Sequence, residues 1–179
     1  MDSFIYNASL KEAKRLMLLS KDDTHDFRHA KEVAYYASKI GRELNYPDIK
    51  FLKLAAWWHD VGRLYKEEHE ELSAQMAKDN LSILGSDENE VKKMFNAIKL
   101  HKWNMQPETI EGNIIRDADK LDCLSSSRWK KSKKGDGKYM NSLIPLLPNL
   151  KSMLYFEISK KIYDQKAESF YLKIKSNPY

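Results

Sequence analysis

Cysteine occurs once in this 179-residue chain, at Cys123. No intrachain disulfide can form, no cysteine cluster is available for zinc, and a reducing compartment is expected. Glycine (6) and proline (5) are scarce, which argues against a turn-rich sheet and for long helices. No apolar run approaches the length of a membrane span. The first residues, MDSFIYNASL, lack a basic start followed by an apolar stretch, so no secretory leader is expected and the expected location is cytoplasmic. A Walker loop, a G-x-G-x-x-G turn and a serine-nucleophile elbow are all missing. P-loop, dinucleotide-dependent and serine-hydrolase chemistry therefore lack their usual signatures. Cys123 has no evident activating base near it in sequence, which argues against a nucleophilic thiol.

What is present reads as a soluble, all-α, single-domain bundle. Hydrophobic residues are 42% and charged residues 32%, and the length suffices for one core. Apolar residues recur at helical spacing. Residues 8–20 predict a first helix, with Leu10, Ala13, Leu16 and Met17 inward. A second runs from the N-cap Asp26 to about Leu44, with Ala30, Val33, Ala37 and Ile40 inward. Pro47-Asp48 opens a third, with Leu52, Ala55, Ala56 and His59 on one side and Gly62 placed to end it. His69 leads a fourth (Leu72, Met76). The fifth carries Val91, Met94, Ile98 and His101, and the sixth carries Ile110, Ile114, Asp117, Leu121 and Leu124. Residues 128–142 are expected to be a basic, mobile loop, followed by a last helix from about Asn149 to Ser176.

Charge is uneven. Residues 128–179 hold 12 Lys/Arg against 4 Asp/Glu, whereas the preceding 127 hold 19 against 22. The expected organisation is a helical core over 1–127, with the basic segment and C-terminal helix of 128–179 packed on it. The basic segment suits recruitment of an anionic substrate or nucleic acid, and equally a solvated face.

The chemistry lies in ionisable residues on apolar stripes, where burial is costly without a partner. His29, His59-Asp60, His69, His101 and Asp117 each sit on or at the end of such a stripe. Nitrogen and carboxylate oxygen donors together suit Mn, Fe, Co, Ni or Zn better than Ca or Mg. His69 and His101 exceed what one ion needs and invite a second. Two ions roughly 3.5–4 Å apart can clamp a phosphoryl group.

The segments HDFRHAKEVAYYA, LAAWWHDVGR and IIRDADKLDCL resemble the HD-domain superfamily of metal-dependent phosphohydrolases, over roughly residues 20–127. The resemblance implies that His29, His59, Asp60 and Asp117 hold a first metal, with Asp60 a possible bridge, and that His69 and His101 hold a second. It implies Asp60 and Arg63 as catalytic residues, Arg63 touching phosphate; a simple helix-end charge explains Arg63 as well. Lys120, three residues past Asp117, is a further catalytic candidate, either reaching phosphate or pairing with Asp117. Relatives often carry Arg where this chain has Glu32, which bears on substrate class. By helical geometry Asp119 is expected to point away from the metal stripe. His25-Asp26 fit a helix cap or an anion contact. Glu67, Glu68 and Glu70 can orient His69 or simply be solvated.

The implied activity is hydrolysis of a phosphate ester or anhydride by a metal-activated water, with one or two divalent transition-metal ions. The implied substrate is a small phosphorylated molecule, a nucleotide ahead of nucleic acid, and no membrane is involved. A di-iron oxygenase has the same ligand list, and a metal-stabilised module that binds nucleic acid or a partner through its basic end is a third reading.

Overall fold

The computed structural model describes every residue except Asp23, Lys66, Glu67, Asp136 and 176–179, and it leaves out the side chains of Ile174 and Lys175. The described residues contain helices and no strand. None of these helices is long and apolar enough to cross a membrane.

Short polar side chains start the helices by accepting hydrogen bonds from their first free N–H groups. Asp2 caps α1 (Ser3–Met17), which therefore begins five residues before the apolar stripe suggests. Asp26 caps α2 (Phe27–Glu43), accepting from Arg28 N and His29 N. Asp48 caps α3 (Ile49–Trp58), Asp87 caps α5 (Glu88–Ile98) and Thr109 caps α6 (Ile110–Asp122). His69 precedes α4 (Glu70–Ile83).

The core is layered around α3, whose residues Phe51, Leu52, Leu54, Ala55, Ala56, Trp57 and Trp58 are all buried. Buried residues lie on nearly all sides of it, with Lys50 exposed and Lys53 half-buried, so its C-terminal half sits inside the bundle. Helix α2 lies against both α3 and α6, and α4 pairs with α5. The α2 residues Ala30, Val33, Ala37 and Ile40 are fully buried, as their spacing predicts. Trp58 is anchored by its Nε1, which donates to Ser9 Oγ on α1 at 3.0 Å.

Gly62 does not end α3. It lies in a 3₁₀ turn, Val61–Leu64, laid across the start of α4. Its N–H donates to Ser73 Oγ at 2.9 Å. A Cβ at this position would lie 2.7 Å from His69 O and 2.9 Å from Ser73 N. This backbone-to-backbone approach sets the distance between His59-Asp60 and His69.

The expected loop over 128–142 is instead α7 (Ser126–Lys134) and α8 (Lys138–Leu143). Lysine is a good helix former, and the lysine run has an inner side. Arg128, Trp129 and Ser132 are buried, while Lys130, Lys133 and Lys134 are exposed. Trp129 Nε1 donates to Cys123 O at 3.0 Å, and its ring meets Phe170. Pro145 and Pro148 fall in a 3₁₀ helix, Ile144–Asn149. The last helix, α9 (Glu157–Lys175), starts later than Asn149. Leu150 and Leu154 are buried in the turns before it, so their apolar spacing reflects burial rather than helix. The expected end at Ser176 lies outside the described residues.

Gly62→Ala is expected to cost about 1–3 kcal/mol through overpacking, a fall in Tm of roughly 3–10 °C. An unchanged thermal unfolding curve would show that the turn yields and does not fix the site.

Candidate metal centre

Asp60 is the hub. It is 3% exposed, and its two carboxylate oxygens face different imidazoles. Oδ2 stands 3.3 Å from His29 Nε2 and 3.6 Å from His59 Nε2. Oδ1 stands 2.7 Å from His69 Nε2 and 3.6 Å from His101 Nε2. Four imidazoles from separate segments of chain thus converge on one carboxylate.

Three of these rings are held by their other nitrogen. His59 Nδ1 donates to Ala56 O at 2.7 Å, and His101 Nδ1 donates to Ile98 O at 2.7 Å. His29 Nδ1 donates to Asp122 Oδ2 at 2.8 Å. A ring that donates from Nδ1 presents a lone pair at Nε2 when neutral, and a partner on the far nitrogen is the usual way a protein orients a metal-binding imidazole. His29 Nε2 and His59 Nε2 are 3.2 Å apart. Two ring nitrogens so close, each with its Nδ1 already donating, fit one proton or one metal ion shared between them.

Asp119 completes this side. Its Oδ1 lies 3.3 Å from His29 Nε2 and 3.9 Å from His59 Nε2. Among the described residues, two sets have donor atoms close enough to hold an ion: His29, His59 and Asp119, and His59, Asp60 and His101. The donor chemistry, imidazole nitrogen with carboxylate oxygen, fits a divalent transition metal.

The electrostatics point the same way. Burial disfavours charge on His29, yet bonds to Asp119, Asp122 and Asp60 hold its pKa up at about 10. Burial pushes His59 down to about 3, which keeps it neutral. Burial also opposes ionisation of Asp60, but the charge of Arg63 and the bonds from His101 and His29 hold it well below the usual carboxylate range. The carboxylates Asp60, Asp119 and Asp122 outnumber the neighbouring guanidinium groups of Arg63 and Arg128. The centre is short of positive charge, which a proton on His29 or a metal ion supplies.

Asp117 is elsewhere, contrary to the sequence expectation. Its carboxylate accepts from Tyr155 N at 2.9 Å and Phe156 N at 3.0 Å, so it ties α6 to the start of α9. Burial raises its pKa against those bonds. Lys120 is also not brought to the cavity. It is fully buried, with Nζ 5.2 Å from the centroid of the Trp103 ring, and burial pushes its pKa down to about 8. It makes no hydrogen bond among the described residues.

The helical stripe misled because α6 is buried on nearly all sides from Glu111 to Asp122. One face meets α2 and the other α9, so apolar spacing alone cannot say which carboxylate faces the centre. The usable signal was Asp119 and Asp122 at a spacing of three, which share a face.

A cavity of about 180 Å³ adjoins the centre, lined by Asp60, Arg63, His69, His101, Asp119 and Arg128 among others. Arg63 Nε lies 3.2 Å from Asp60 Oδ1. Arg128 was not expected here. It is 4% exposed, bonds Asp122 Oδ2 through Nη1 at 3.1 Å, and stacks over the Tyr139 ring. His25 also reaches the wall, held by Asp22 Oδ2 at 2.9 Å and lowered by burial to about 4. Glu70 lines the cavity and Glu68 is exposed; Glu67 lies outside the described residues.

This fold and site define a class. The HD domain family profile matches residues 26–124, more than half of the chain, and the chain belongs to that family. Ribonuclease Y of Syntrophomonas wolfei is 30% identical over 105 residues, which are 56% of this chain and 18% of that protein. YpgQ of Bacillus subtilis is 27% identical over 129 residues, 65% of this chain and 62% of that protein. The chain thus spans less than two thirds of either relative. Solved structures share the fold, among them the following three. YpgQ in complex with ADP has a TM-score of 0.73 at 20% identity, covering 97% of this chain and 93% of that one. A Lactobacillus plantarum protein has a TM-score of 0.78 at 15% identity, covering 98% and 96%. A predicted HD superfamily hydrolase from an uncultured Thermotogales bacterium has a TM-score of 0.68 at 24% identity, covering 97% and 88%.

The two α6 carboxylates make opposite predictions. Asp119→Asn is expected to lower the metal content of purified protein, read by elemental analysis, and with it the part of the Tm that bound metal supplies. Asp117→Asn is expected to keep the metal and lose about 1–3 kcal/mol of stability, because a charged acceptor for two backbone amides is removed. The reverse pattern would return Asp117 to the ligand set.

Proposed function

We propose that the chain is a metal-dependent phosphohydrolase acting on a phosphate ester or anhydride of a nucleotide or related small molecule. The observation that carries this reading is the split carboxylate of Asp60, one oxygen toward His29 and His59 and the other toward His69 and His101. That arrangement suits two ions sharing one bridging carboxylate. His29, His59, Asp60 and Asp119 would hold the first, and Asp60, His69 and His101 the second. Bound there, divalent ions supply an acidified water and positive charge that stabilises a phosphoryl transition state.

The chain's own residues supply the rest. Asp122, Ala56 O and Ile98 O fix three ring orientations before any substrate arrives, and such preorganisation needs no rearrangement during reaction. Arg63 and Arg128 line the cavity as buried or half-buried cations, and Lys102 lies on its rim. Guanidinium groups match phosphate oxygens in geometry and charge. The ADP complex of the YpgQ relative supports a nucleotide.

Incubation with nucleotides, dinucleotides and sugar phosphates in the presence of Mn, Co, Ni or Fe is expected to release phosphate or nucleoside monophosphate. Loss of groups that merely orient a ligand costs about 10–100-fold, so Asp60→Asn is expected to lower kcat/KM by more than about 100-fold. Arg63→Gln is expected to act mainly on KM. Oxygen uptake by the ferrous protein with no phosphate release from any of these compounds would overturn the reading.

A further inference from the structure

Lys120 is a cation buried without a hydrogen bond. It is fully buried on α6, and its Nζ has no hydrogen-bond partner among the described residues. An ammonium so placed is costly, and a methionine would fill similar space without that cost. What Lys120 does meet is an aromatic ring: its Nζ stands 5.2 Å from the centroid of Trp103. Tryptophan is the best partner for a cation over a ring, and the attraction grows away from water. Lys120 thus holds Trp103 from inside the protein.

Trp103 is half-buried, on the connection between α5 and α6, and it lines two cavities. One is the cavity of about 180 Å³ at the metal centre, and the other is an outer cavity of about 710 Å³. His25, Arg63 and Trp103 are walls of both. Lys120 lines neither, so the surface that Trp103 shows them is the side away from the ammonium.

Size divides the two cavities by task. Sites that enclose a whole small-molecule ligand run to roughly 300–1,000 Å³. The central cavity falls below that range and suits a phosphoryl group; the outer one falls within it. Whatever a phosphoryl group at the centre is attached to would lie in the outer cavity, beside Trp103. Apart from Trp103, Tyr139 and Gly135, the outer lining is polar or charged, with the hydroxyls of Thr24, Ser132 and Ser142, which does not suit an acyl chain. Tyr139 is already engaged, with Arg128 over its ring at 4.4 Å and His25 against its edge. Trp103 is the ring that stands at the boundary with a side toward the cavities. A nucleobase has a flat π-face that stacks on such a ring.

We propose that Trp103 is the stacking surface for the base of a nucleotide whose phosphate lies at the metal centre, and that Lys120 is the positioning residue that holds this ring. The proposal rests on the phosphohydrolase reading only for where the phosphate lies. Base recognition is measured as binding, apart from turnover.

The experiment is isothermal titration calorimetry of the purified full chain, without added metal, with AMP and with ribose 5-phosphate, which lacks only the base. AMP is expected to bind at least about tenfold more tightly. Trp103→Leu is expected to bring AMP to within about twofold of ribose 5-phosphate, whose own affinity holds. Trp103→Phe, which keeps a smaller ring, is expected to recover a preference of at least about threefold. Lys120→Met is expected to lower the preference at least about threefold while ribose 5-phosphate binds as to the parent. A merely structural role would weaken both ligands alike. Thermal melting checks the fold of each variant, and should Lys120→Met fail to fold, the two Trp103 variants decide. AMP no tighter than ribose 5-phosphate, or Trp103→Leu with the parent's preference, would overturn the proposal. Lys120→Met with the parent's preference would overturn the positioning role. Base preference as expected, with no phosphate release from any compound, would remove the phosphohydrolase reading and leave this proposal standing. Phosphate release from sugar phosphates with no base preference would do the opposite.

Discussion

The buried carboxylate of Asp60 is the constraint on which the rest of this molecule is arranged. A charge so deep is costly unless other charges and hydrogen bonds surround it. The chain meets that cost with imidazoles from four segments and with Arg63, all within 3.6 Å of its two oxygens. Each element has to arrive at a set distance for this to work. The close packing of Gly62 on the start of α4 brings His69 to Asp60. The packing of α2 on α3 and α6 brings His29 to His59 and Asp119. Helix packing and site geometry are therefore one problem, and a shift in either is felt in the other.

Most of the fold was legible because helical spacing reports burial directly. The stripes on α2 and α5 and the caps Asp26 and Asp48 all fall where the sequence places them. The histidines were legible for a related reason: an imidazole on an apolar stripe is uncommon enough to stand out. The failures share one cause. Apolar spacing shows that a residue is buried, not what it is buried against. Leu150 and Leu154 are buried in turns and read as helix. Asp117 is buried against the start of α9 and read as a ligand. Lys120 is buried beside Trp103 and read as reaching phosphate or pairing with Asp117. The lysine run of α7 read as a loop, because its inward residues, Arg128 and Ser132, are polar and leave a weak apolar signal beside Trp129.

Those misread residues show how the basic end of the chain belongs to the centre. Among the ion pairs that fasten helix α7 are Arg128 with Asp122 and Lys131 with Asp26. Both carboxylates also hold His29. Asp122 accepts from its Nδ1, and Asp26 accepts from its backbone N–H as the cap of α2. The two basic side chains therefore neutralise the residues that orient one imidazole. Removing Arg128 would leave Asp122 as an uncompensated buried charge beside His29, and such a loss is far more damaging than removal of a surface cation. The charge asymmetry visible in the sequence is thus not an appendage on an acidic core. Its inward members help set the geometry of the centre, while Lys130, Lys133 and Lys134 lie at the surface.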